Sequence, residues 1–493
     1  MPPSSPPVAA VIGVDSSTQS TKAVVLDAAT GRSLGTGRAP HLVTGRQGAR
    51  ESEPGVWWSA LCDAVTLALK EADVPPERVT GIAVAGQQHG LVALDAQGRP
   101  VRPALLWNDT RSAPQAAALT ERLGGPDAWL ARTGSVPVAS MTAAKWQWLR
   151  EHEPARPVAA VRLPHDFLTE RLCGVAVTDP GDASGTCWYN TATGAYDAEI
   201  LDLLGLAPEL LPAVAAGGGA RAGSLTESAA ALLGLPAGIA VAAGTGDNMA
   251  AAVGLGLGAA GLLDHPVLSL GTSGTVFAAT RTRPASPALA GFAAADGTYL
   301  PLACTLNCTL AVDRIADLLG LDREDAEPGD GTVLLPYLDG ERTPDLPHAA
   351  GLLTGLRHDT SGRQILGAAY EGAVFTLLRA LDELSRACGL DPDDPEVAAR
   401  PVRLVGGGAQ GRTWVETVRR LSGRPVLVPE ATELVALGAA ALAQAAATGR
   451  DPVAVATGWD TGRGTLLPAA PRDHAAWHRL TDVLDRATPA LLT

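Results

Sequence analysis

The amino-acid sequence predicts an α/β fold made of two similar lobes around a central cleft. Strand-like and helix-like segments alternate along the whole chain, which is typical of α/β proteins. The chain has 493 residues, and chains longer than ~250–300 residues usually split into domains. A hairpin-like stretch at 8–27 is followed by a weaker, similar pattern at 267–280, so each half of the chain contains one such predicted hairpin.

The spacing of the apolar residues predicts the individual elements. Short apolar or β-branched runs predict strands at 8–14, 22–27, 79–85, 158–163, 239–243, 266–271, 275–279 and 402–405. Longer segments predict helices at 55–71, 142–152, 308–319, 363–385 and 433–447. In the first helix, a stripe at helical spacing is predicted to be buried, formed by Trp57, Leu61, Val65 and Leu69.

Composition and charge restrict the classes of partner. With 38 basic and 52 acidic residues the net charge is −14, which argues against a nucleic-acid or anionic-membrane partner. The longest uncharged stretch, 248–263, is too short and too glycine-rich to span a membrane. The opening segment "MPPSSPP" lacks the features of a signal peptide, and the six cysteines form no Cys-x-x-Cys pair. We therefore expect a soluble, cytoplasmic protein with free thiols.

The first hairpin turns on a polar sequence rather than on Asn-Gly or Gly-Gly. Its turn reads "DSSTQS", in which hydroxyl and amide side chains follow the carboxylate of Asp15. Backbone N–H groups and hydroxyls bind phosphate oxygens, and a carboxylate orders a hydrated Mg²⁺. We predict that the two hairpins, one in each lobe, hold the phosphates of a nucleotide from both sides.

Asp247 in "GTGDN" has two interpretations. A predicted strand ends near Gly244, a glycine turn follows, and Asp247 and Asn248 open a helix. Asp is a preferred N-cap residue, which is the structural interpretation. A carboxylate at the carboxyl end of a strand, at the junction of two lobes, is also where α/β enzymes place a catalytic base.

Two glycine-rich segments differ in how strongly they indicate a nucleotide-binding site. The fingerprint-like spacing of Gly256, Gly258 and Gly261 follows a helix-like segment instead of a strand, so we reject it as a dinucleotide site, and the chain contains no P-loop. "VRLVGGGAQG" at 402–411 runs from a strand into three glycines. It is a tight turn, or a flat backbone platform for an adenine ring.

Two polar clusters suit a polyhydroxylated ligand. One places Gln87, Gln88 and His89 after a strand, and the other is "WNDTR", which includes Trp107 and Asp109. A lone histidine in such a place is more often structural. Amide, imidazole, carboxylate and indole groups together can bond many hydroxyls and stack on a C–H face.

Several motifs in one order resemble the FGGY family of carbohydrate kinases, within the actin and sugar-kinase superfamily. "SMTAAKWQWLREH" at 140–152 resembles the first family signature, with Lys145 and Trp148 in register, and "GLLTGLRHDTSGRQILGAAYE" at 351–371 resembles the second. "GVDSSTQSTK", "SLGTSG", "LPYLDGERTP" and "VGGGA" also stand in family order. The resemblance extends from Val11 to near Gln444.

The resemblance implies a fold and a set of ligands. The lobes would be ribonuclease-H-like, with a sugar- and phosphate-binding lobe at 8–245, an ATP-binding lobe at 255–445 and a C-terminal extension at 446–493. The ligands would be ATP, Mg²⁺ and a small-molecule sugar, with no nucleic-acid or membrane partner. A homodimer is left open.

The resemblance also implies residue roles. Asp247 matches the catalytic base, and Asp15 matches the acid near Mg²⁺ and the γ-phosphate. The implied sugar-binding residues are Gln88, His89, Trp107, Asp109 and Asn248. The implied ATP-binding residues are Ser17, Thr18, Gln19, Lys22, Gly271, Thr272, Gly407, Gly408, Ala409 and Arg412.

The implied reaction is phosphorylation of D-xylulose to D-xylulose 5-phosphate. "WND-x-R" favours a kinase of D-xylulose over a kinase of glycerol, whereas Gln88 stands where the bacterial pattern often has Met. Two alternatives stay open: a family member acting on a different ketose or polyol, and a non-catalytic member that senses sugar or ATP. Retention of Asp247 together with Asp15 speaks against the sensor.

Overall fold

The computed structural model describes residues 9–346 and 348–487. The chain forms two compact units that are interleaved in sequence. The first comprises the described residues up to Leu263, with Ala279–Leu300 and Glu433–Gly462, and the second comprises Asp264–Ala278, Pro301–Thr432 and the described residues from Arg463 onward. The division into consecutive lobes and an extension stays a prediction. The segment "MPPSSPP", the predicted strand start at Val8 and the last six residues of the predicted extension lie outside the described residues.

The first unit is built on a mixed central sheet, with parallel and antiparallel strand pairs. Its strands are β1 (Ala10–Ser16), β2 (Ser20–Asp27), β3 (Ser33–Pro40), β4 (Val79–Gly86), β5 (Arg221–Ser224), β6 (Ala240–Ala242) and β7 (Thr245–Gly246). Their order is β5-β6-β4-β1-β2-β3, and β7 also pairs with β4. β1 and β2 form the predicted antiparallel hairpin, whereas β1, β6 and β7 each run parallel to β4.

The second unit carries the second predicted hairpin in its own sheet. Its strands are β8 (Val267–Leu270), β9 (Gly274–Phe277), β10 (Tyr299–Thr305), β11 (Val402–Val405), β12 (Val426–Pro429) and β13 (Gly464–Leu467). They follow the order β10-β9-β8-β11-β12-β13. β8 and β9 are antiparallel, and β8 runs parallel to β11.

Shorter strands and the helices complete the two units. The shorter strands are Glu51–Ser52, Val92–Leu94, Ala104–Leu105, Ala160–Arg162, Val177–Thr178, Tyr189–Asn190, Ala195–Tyr196, Ala213–Val214, Ala290–Ala293, Val333–Leu335 and Leu352–Thr354. The helices are α1 (Pro54–Ala72), α2 (Ala113–Arg122), α3 (Pro126–Thr133), α4 (Thr142–His152), α5 (Pro164–Cys173), α6 (Pro180–Ser184), α7 (Ala198–Leu204), α8 (Glu227–Leu233), α9 (Asp247–Gly254), α10 (Thr309–Leu319), α11 (Gly362–Ala387), α12 (Pro395–Ala398), α13 (Arg412–Ser422), α14 (Leu434–Thr448), α15 (Pro452–Trp459) and α16 (His474–Arg486).

The inner strands of the first sheet are buried on both faces, which explains their continuous apolar sequences, whereas the edge strands β3 and β5 are partly exposed. Residues of α1 and β1 share one core that includes Ile12, Val14 and Trp57. On the other face α14 packs closely against β1. A Cβ added at Gly13 would lie only 2.0 Å from the Ala436 carbonyl oxygen. Glycine at that position therefore allows helix and strand to meet. α14 belongs to the first unit although it lies near the end of the chain.

The predicted strands and helices are confirmed, with ends shifted by a few residues. In the α1 stripe Trp57, Leu61 and Val65 are fully buried, and Leu69 is partly buried against the same core. All six cysteines lie in the described parts of the chain, and none of them forms a disulfide there. Among residues 9–346 and 348–487, no helix combines the length and the apolar character that crossing a membrane requires.

Candidate active site

Parallel pairing aligns three strand ends at one edge of the first sheet. Ser16 of β1 lies beside Gly86 of β4, which lies beside Gly246 of β7. The three segments that follow these residues are the "DSSTQS" turn, the Gln87–His89 segment and the start of α9 at Asp247. The sheet thus brings together, in one unit, motifs that are 230 residues apart in the sequence.

The hairpin turn holds Asp15 in a buried position. Its carboxylate is 4% exposed and accepts a hydrogen bond of 2.6 Å from the Ser17 hydroxyl. The turn itself closes through the Ser17 N–H, which donates to the Ser20 carbonyl at 3.1 Å. Burial raises the pKa of Asp15 to about 6, against the opposing effects of the Ser17 hydroxyl and the Lys22 ammonium. The site therefore favours a positive charge near this carboxylate.

Other residues of the hairpin have partners in the first unit. Lys22 lies opposite Asp15 in the ladder and forms an ion pair of 2.7 Å with Glu433, just before α14. The indole N–H of Trp107 donates to the Thr18 hydroxyl at 3.0 Å, and 40% of Trp107 is exposed. A residue predicted to bind sugar therefore contacts one predicted to bind ATP.

Asp247 is the first residue of α9, and Gly246 occupies the N-cap position. The N-cap interpretation of Asp247 is therefore wrong. Its Oδ1 accepts from the backbone N–H of Asn248 at 2.9 Å and from the Asn248 side-chain amide at 3.1 Å. Burial raises the pKa of Asp247 to about 7, with further increases from the charges of Asp15 and Asp182. Such a carboxylate can accept a proton near neutral pH.

Gln88 lies beside Asp247 and is held by Asn248. Its Oε1 accepts from Asn248 Nδ2 at 2.8 Å, and its side chain covers Gly246, where an added Cβ would lie 2.7 Å from Gln88 Cγ. Gln88 is 4% exposed, and its Nε2 has no hydrogen-bond partner among the described residues. A buried donor of this kind can bond to a ligand oxygen.

His89 and Gln87 flank Gln88. His89 has a positive φ of 64°, its Nδ1 lies 2.9 Å from the Gly185 carbonyl oxygen, and its ring lies 5.4 Å from that of Phe292. Gln87 donates its backbone N–H to Ser16. Both side-chain amide atoms of Gln87 are buried, and neither has a partner in the described parts of the chain. The sugar-binding residues implied by the family resemblance do not include Gln87, although the polar cluster predicted to suit a polyhydroxylated ligand contains it.

Asp109, predicted to bind sugar, accepts several hydrogen bonds from within the protein. It is 2% exposed, and both of its oxygens accept from Arg111, at 2.6 Å for the shortest bond. Oδ2 also accepts from the backbone N–H of Arg50 at 2.8 Å. Both oxygens of the carboxylate are thus bonded within the protein, and the sugar-binding role of Asp109 stays a prediction.

The predicted ATP residues of the second unit lie around the β8–β9 turn. The Gly271 carbonyl accepts from the backbone and hydroxyl of Thr309, at the start of α10. The glycines after β11 pack on Leu270, since a Cβ at Gly406 would lie 2.8 Å from the Leu270 oxygen. Gly407 is exposed, and an added Cβ there would meet no atom within 4 Å.

The other predicted ATP residues of that unit differ in exposure. Gly408 and Ala409 are buried, whereas Thr272 is exposed. Arg412 is also largely exposed, with carboxylates of Glu324 and Glu416 at 3.9 and 3.5 Å. Within the platform, Gly407 therefore offers the open backbone.

A buried ionic cluster behind the Asp247 turn was missed by the sequence reasoning. His165 Nδ1 lies 2.7 Å from Asp182 Oδ2, and its Nε2 lies 3.2 Å from Asp166 and 3.8 Å from Asp179. Asp179 accepts a 2.7 Å bond from the Thr245 hydroxyl. The only local signal was the presence of ionisable residues in two otherwise apolar segments, "RLPHDF" and "VTDPGD".

The residues present fit one common mode of magnesium binding. In the described part of the chain, no group of three or more His, Cys, Asp or Glu side chains is arranged to hold a metal ion. Mg²⁺, however, usually keeps several waters and binds through one or two carboxylates together with substrate phosphates. Asp15, buried and with a raised pKa, suits that mode.

Two family models match the chain. The N-terminal domain of the FGGY family of carbohydrate kinases matches residues 10–254, and the C-terminal domain of that family matches residues 267–447. The xylulose kinases of Streptomyces rubiginosus and Streptomyces coelicolor are 57% and 58% identical, over 98% of this chain and 97% of each relative. The xylulose kinase of Escherichia coli is 33% identical over 88% of this chain and 90% of that relative.

Solved structures are similar over almost the same length. The xylulose kinase of Bifidobacterium adolescentis has a TM-score of 0.81 at 32% identity, and the enzyme of Brucella ovis described as a xyloylose kinase has a TM-score of 0.86 at 30% identity. Each comparison covers 97% of this chain and 99% of the other.

Proposed function

Since this chain belongs to the FGGY family of carbohydrate kinases, we propose that it transfers the γ-phosphoryl group of ATP to the 5-hydroxyl of D-xylulose. The products are ADP and D-xylulose 5-phosphate. The observation that carries this proposal is the Asp247 carboxylate, with a pKa of about 7, beside the Gln88–Asn248 pair. The names and identities of the two Streptomyces relatives support the choice of sugar.

The sugar contacts are assigned to residues at the same sheet edge. Gln88 donates its unpartnered Nε2–H to a sugar oxygen, while Asn248 fixes the orientation of the Gln88 amide. His89 bonds a second hydroxyl, and the exposed indole of Trp107 stacks on a C–H face of the sugar. Gln87, with both amide atoms buried, is a further candidate for a hydroxyl.

Asp247 accepts the proton of the 5-hydroxyl as that oxygen attacks the γ-phosphorus. Phosphoryl transfer has a loose transition state governed by positioning and charge, so the main effect of Asp247 is to orient the nucleophile. The two bonds from Asn248 to Oδ1 fix the carboxylate, and Oδ2 is the oxygen that we assign to the substrate.

In the first unit the residues proposed for ATP lie in and beside the first hairpin turn, and in the second unit they lie in the second hairpin turn and in and beside the glycine platform. Asp15 is the carboxylate that would hold Mg²⁺ through water, and the ion when bound neutralises charge on the phosphates. Lys22 adds positive charge beside the turn. The residues proposed for ATP are Ser17, Thr18, Gln19, Lys22, Gly271, Thr272, Gly407, Gly408, Ala409 and Arg412.

The test is an assay of ADP release with ATP and Mg²⁺ across D-xylulose, other ketoses, glycerol and gluconate. We expect kcat/KM to be highest for D-xylulose. A higher kcat/KM for another sugar or polyol would show that the proposed substrate is wrong, while phosphoryl transfer from ATP would still be the reaction. Sugar and ATP binding by calorimetry without any ADP release would instead support the non-catalytic sensor.

A further inference from the structure

The buried cluster around His165 is not used by the proposed reaction. His165 is fully buried, as are Asp179 and Asp182, and Asp166 is 1% exposed. One imidazole therefore stands among three carboxylates inside the first unit. An unpaired buried charge costs several kcal/mol, so the protonated imidazole is the counter-charge that makes this arrangement tolerable.

His165 lies directly behind the two strand ends that carry the site. An added Cβ at Gly86 would lie 2.9 Å from the His165 backbone nitrogen, and one at Gly244 would lie 3.1 Å from His165 Cδ2. Gly86 immediately precedes the Gln87–His89 segment, and Gly244 precedes the turn into Asp247. The glycines thus allow the histidine to contact both strand ends.

The carboxylates connect His165 to the side chains of the site. Asp179 accepts from the Thr245 hydroxyl at 2.7 Å, two residues before Asp247. Asp179 also accepts the N–H of Gly181 and of Asp182 at 3.0 Å and so begins α6. α6 is followed by Gly185, its C-cap residue, whose carbonyl oxygen lies 2.9 Å from His89 Nδ1.

We propose that His165 is a positioning residue, whose buried positive charge holds two carboxylates behind the turn that carries Asp247. Loss of that charge leaves Asp179 and Asp182 repelling each other. The Thr245 contact and α6 then shift, and Asp247 and His89 move with them. A displacement of about 1 Å at the reacting groups is enough to lower the rate by ~100-fold.

The charges that face His165 support a protonated ring. They are Asp166 on its own helix and Asp179 and Asp182 on the α6 segment, whereas the β4 and β6–β7 segments present glycine backbone. Although burial alone would lower the pKa of His165, the three carboxylates raise it to about 9. Because the folded-state pKa lies above 6.5, the stabilisation is complete below that pH and is lost as pH rises through about 9.

The test compares a charge-removing variant, a charge-retaining variant and a packing control. His165→Gln removes the charge, and His165→Lys retains it. Thr169→Val lies one turn further along α5, is equally buried, and loses a bond to the Ala243 carbonyl without touching the carboxylates. The readouts are kcat from ADP release over pH, Tm, and the ¹³Cε1 shift of His165 in the wild-type protein.

We expect His165→Gln to lower kcat by ~10–100-fold, His165→Lys to recover most of that loss, and Thr169→Val to stay within ~3-fold of wild type. The wild-type kcat should fall above about pH 9, and His165→Lys should move that fall to higher pH. Equal losses in His165→Gln and Thr169→Val, or a wild-type pH profile in His165→Gln, would overturn the proposal.

Two measurements keep the proposal testable where His165→Gln does not fold. Asp182→Asn removes the nearest carboxylate, and we expect it to lower kcat by ~10-fold or more with its Tm close to wild type. A His165 ring that NMR shows to be neutral at about pH 7.5 would overturn the proposal without any activity assay. The kcat readouts rest on the proposed function, and its failure would appear separately as a wild-type protein that releases no ADP with any sugar.

Discussion

The substitution Asp247→Asn separates the proposed base from a structural residue through two readouts with opposite signs. Asparagine keeps the oxygen that accepts from Asn248 but cannot take a proton. We expect kcat to fall by at least ~100-fold, the usual contribution of a general base. We also expect the variant to be more stable than the wild type, because it carries no negative charge at a position whose surroundings disfavour one.

The pKa of Asp247 determines the size of the stability effect. It is raised from 3.8 to about 7, so the folded protein binds this proton more tightly than the unfolded chain does. The wild type therefore loses stability as pH rises from about 4 to about 7. That rise in the pKa of Asp247 corresponds to about 4 kcal/mol at most. Because Asp247 is partly exposed to solvent, we expect about 1–3 kcal/mol, or a few degrees in Tm.

The assay is thermal unfolding of both proteins at about pH 8 and about pH 4, together with kcat and calorimetric binding of D-xylulose and ATP. The stabilisation should be present at the higher pH and absent at the lower one. Binding of both ligands should persist. A variant with near-normal kcat and unchanged Tm would refute the reasoning. Asp247 would then neither act as a base nor carry a negative charge that its surroundings disfavour.

Three further predictions concern the phosphate turn, the sugar pocket and the platform. Asp15→Ala should fold, because the apolar strand faces are untouched, and its kcat should be at least ~100-fold lower than that of the wild type. Full activity at ordinary magnesium concentration would exclude the phosphate role. Partial recovery of kcat in a magnesium titration would place the defect in metal affinity. His89→Ala should raise KM for D-xylulose by ~10-fold with an unchanged Kd for ATP, and calorimetry showing equal weakening of both ligands would identify a structural histidine. Gly407→Ala should have an unchanged Tm and bind ATP more weakly. Gly406→Ala should have a lower Tm, because Gly406 has a φ of 86° and its added Cβ would lie 2.8 Å from the Leu270 oxygen. Normal ATP binding by Gly407→Ala would contradict the role of the glycine platform.

Local patterns predicted the hairpins and helices because their causes are local. β-branched runs around "DSSTQS" and "GTSG" form β1–β2 and β8–β9, and the apolar stripe of α1 is buried. The family resemblance is confirmed by the two domain matches. The sequence analysis did not predict that Asp15, Gln88 and Asp247 lie at one sheet edge, because that placement depends on parallel pairing between strands distant in the sequence.

Features that depend on distant partners were not predictable from the sequence. Lys22 pairs with Glu433, which is 411 positions away, and α14 joins the first unit. The bonds of Asp109 to Arg111 and Arg50 depend on how a loop folds back, so the sequence did not reveal them. The contacts around His165 bring together α5, α6 and two strand ends. No residue spacing in the sequence predicts that these elements lie close to one another.

The central claim is phosphoryl transfer to the 5-hydroxyl of D-xylulose, and the most direct measurement is NMR of the product. The wild-type protein is incubated with ATP, Mg²⁺ and D-xylulose, and ³¹P–¹H correlation locates the new ester. We expect ADP and a single phosphate ester on C5, formed at least ~100-fold more slowly by Asp247→Asn. An ester on another carbon, or no ester from a protein that binds both ligands, would contradict the assignment.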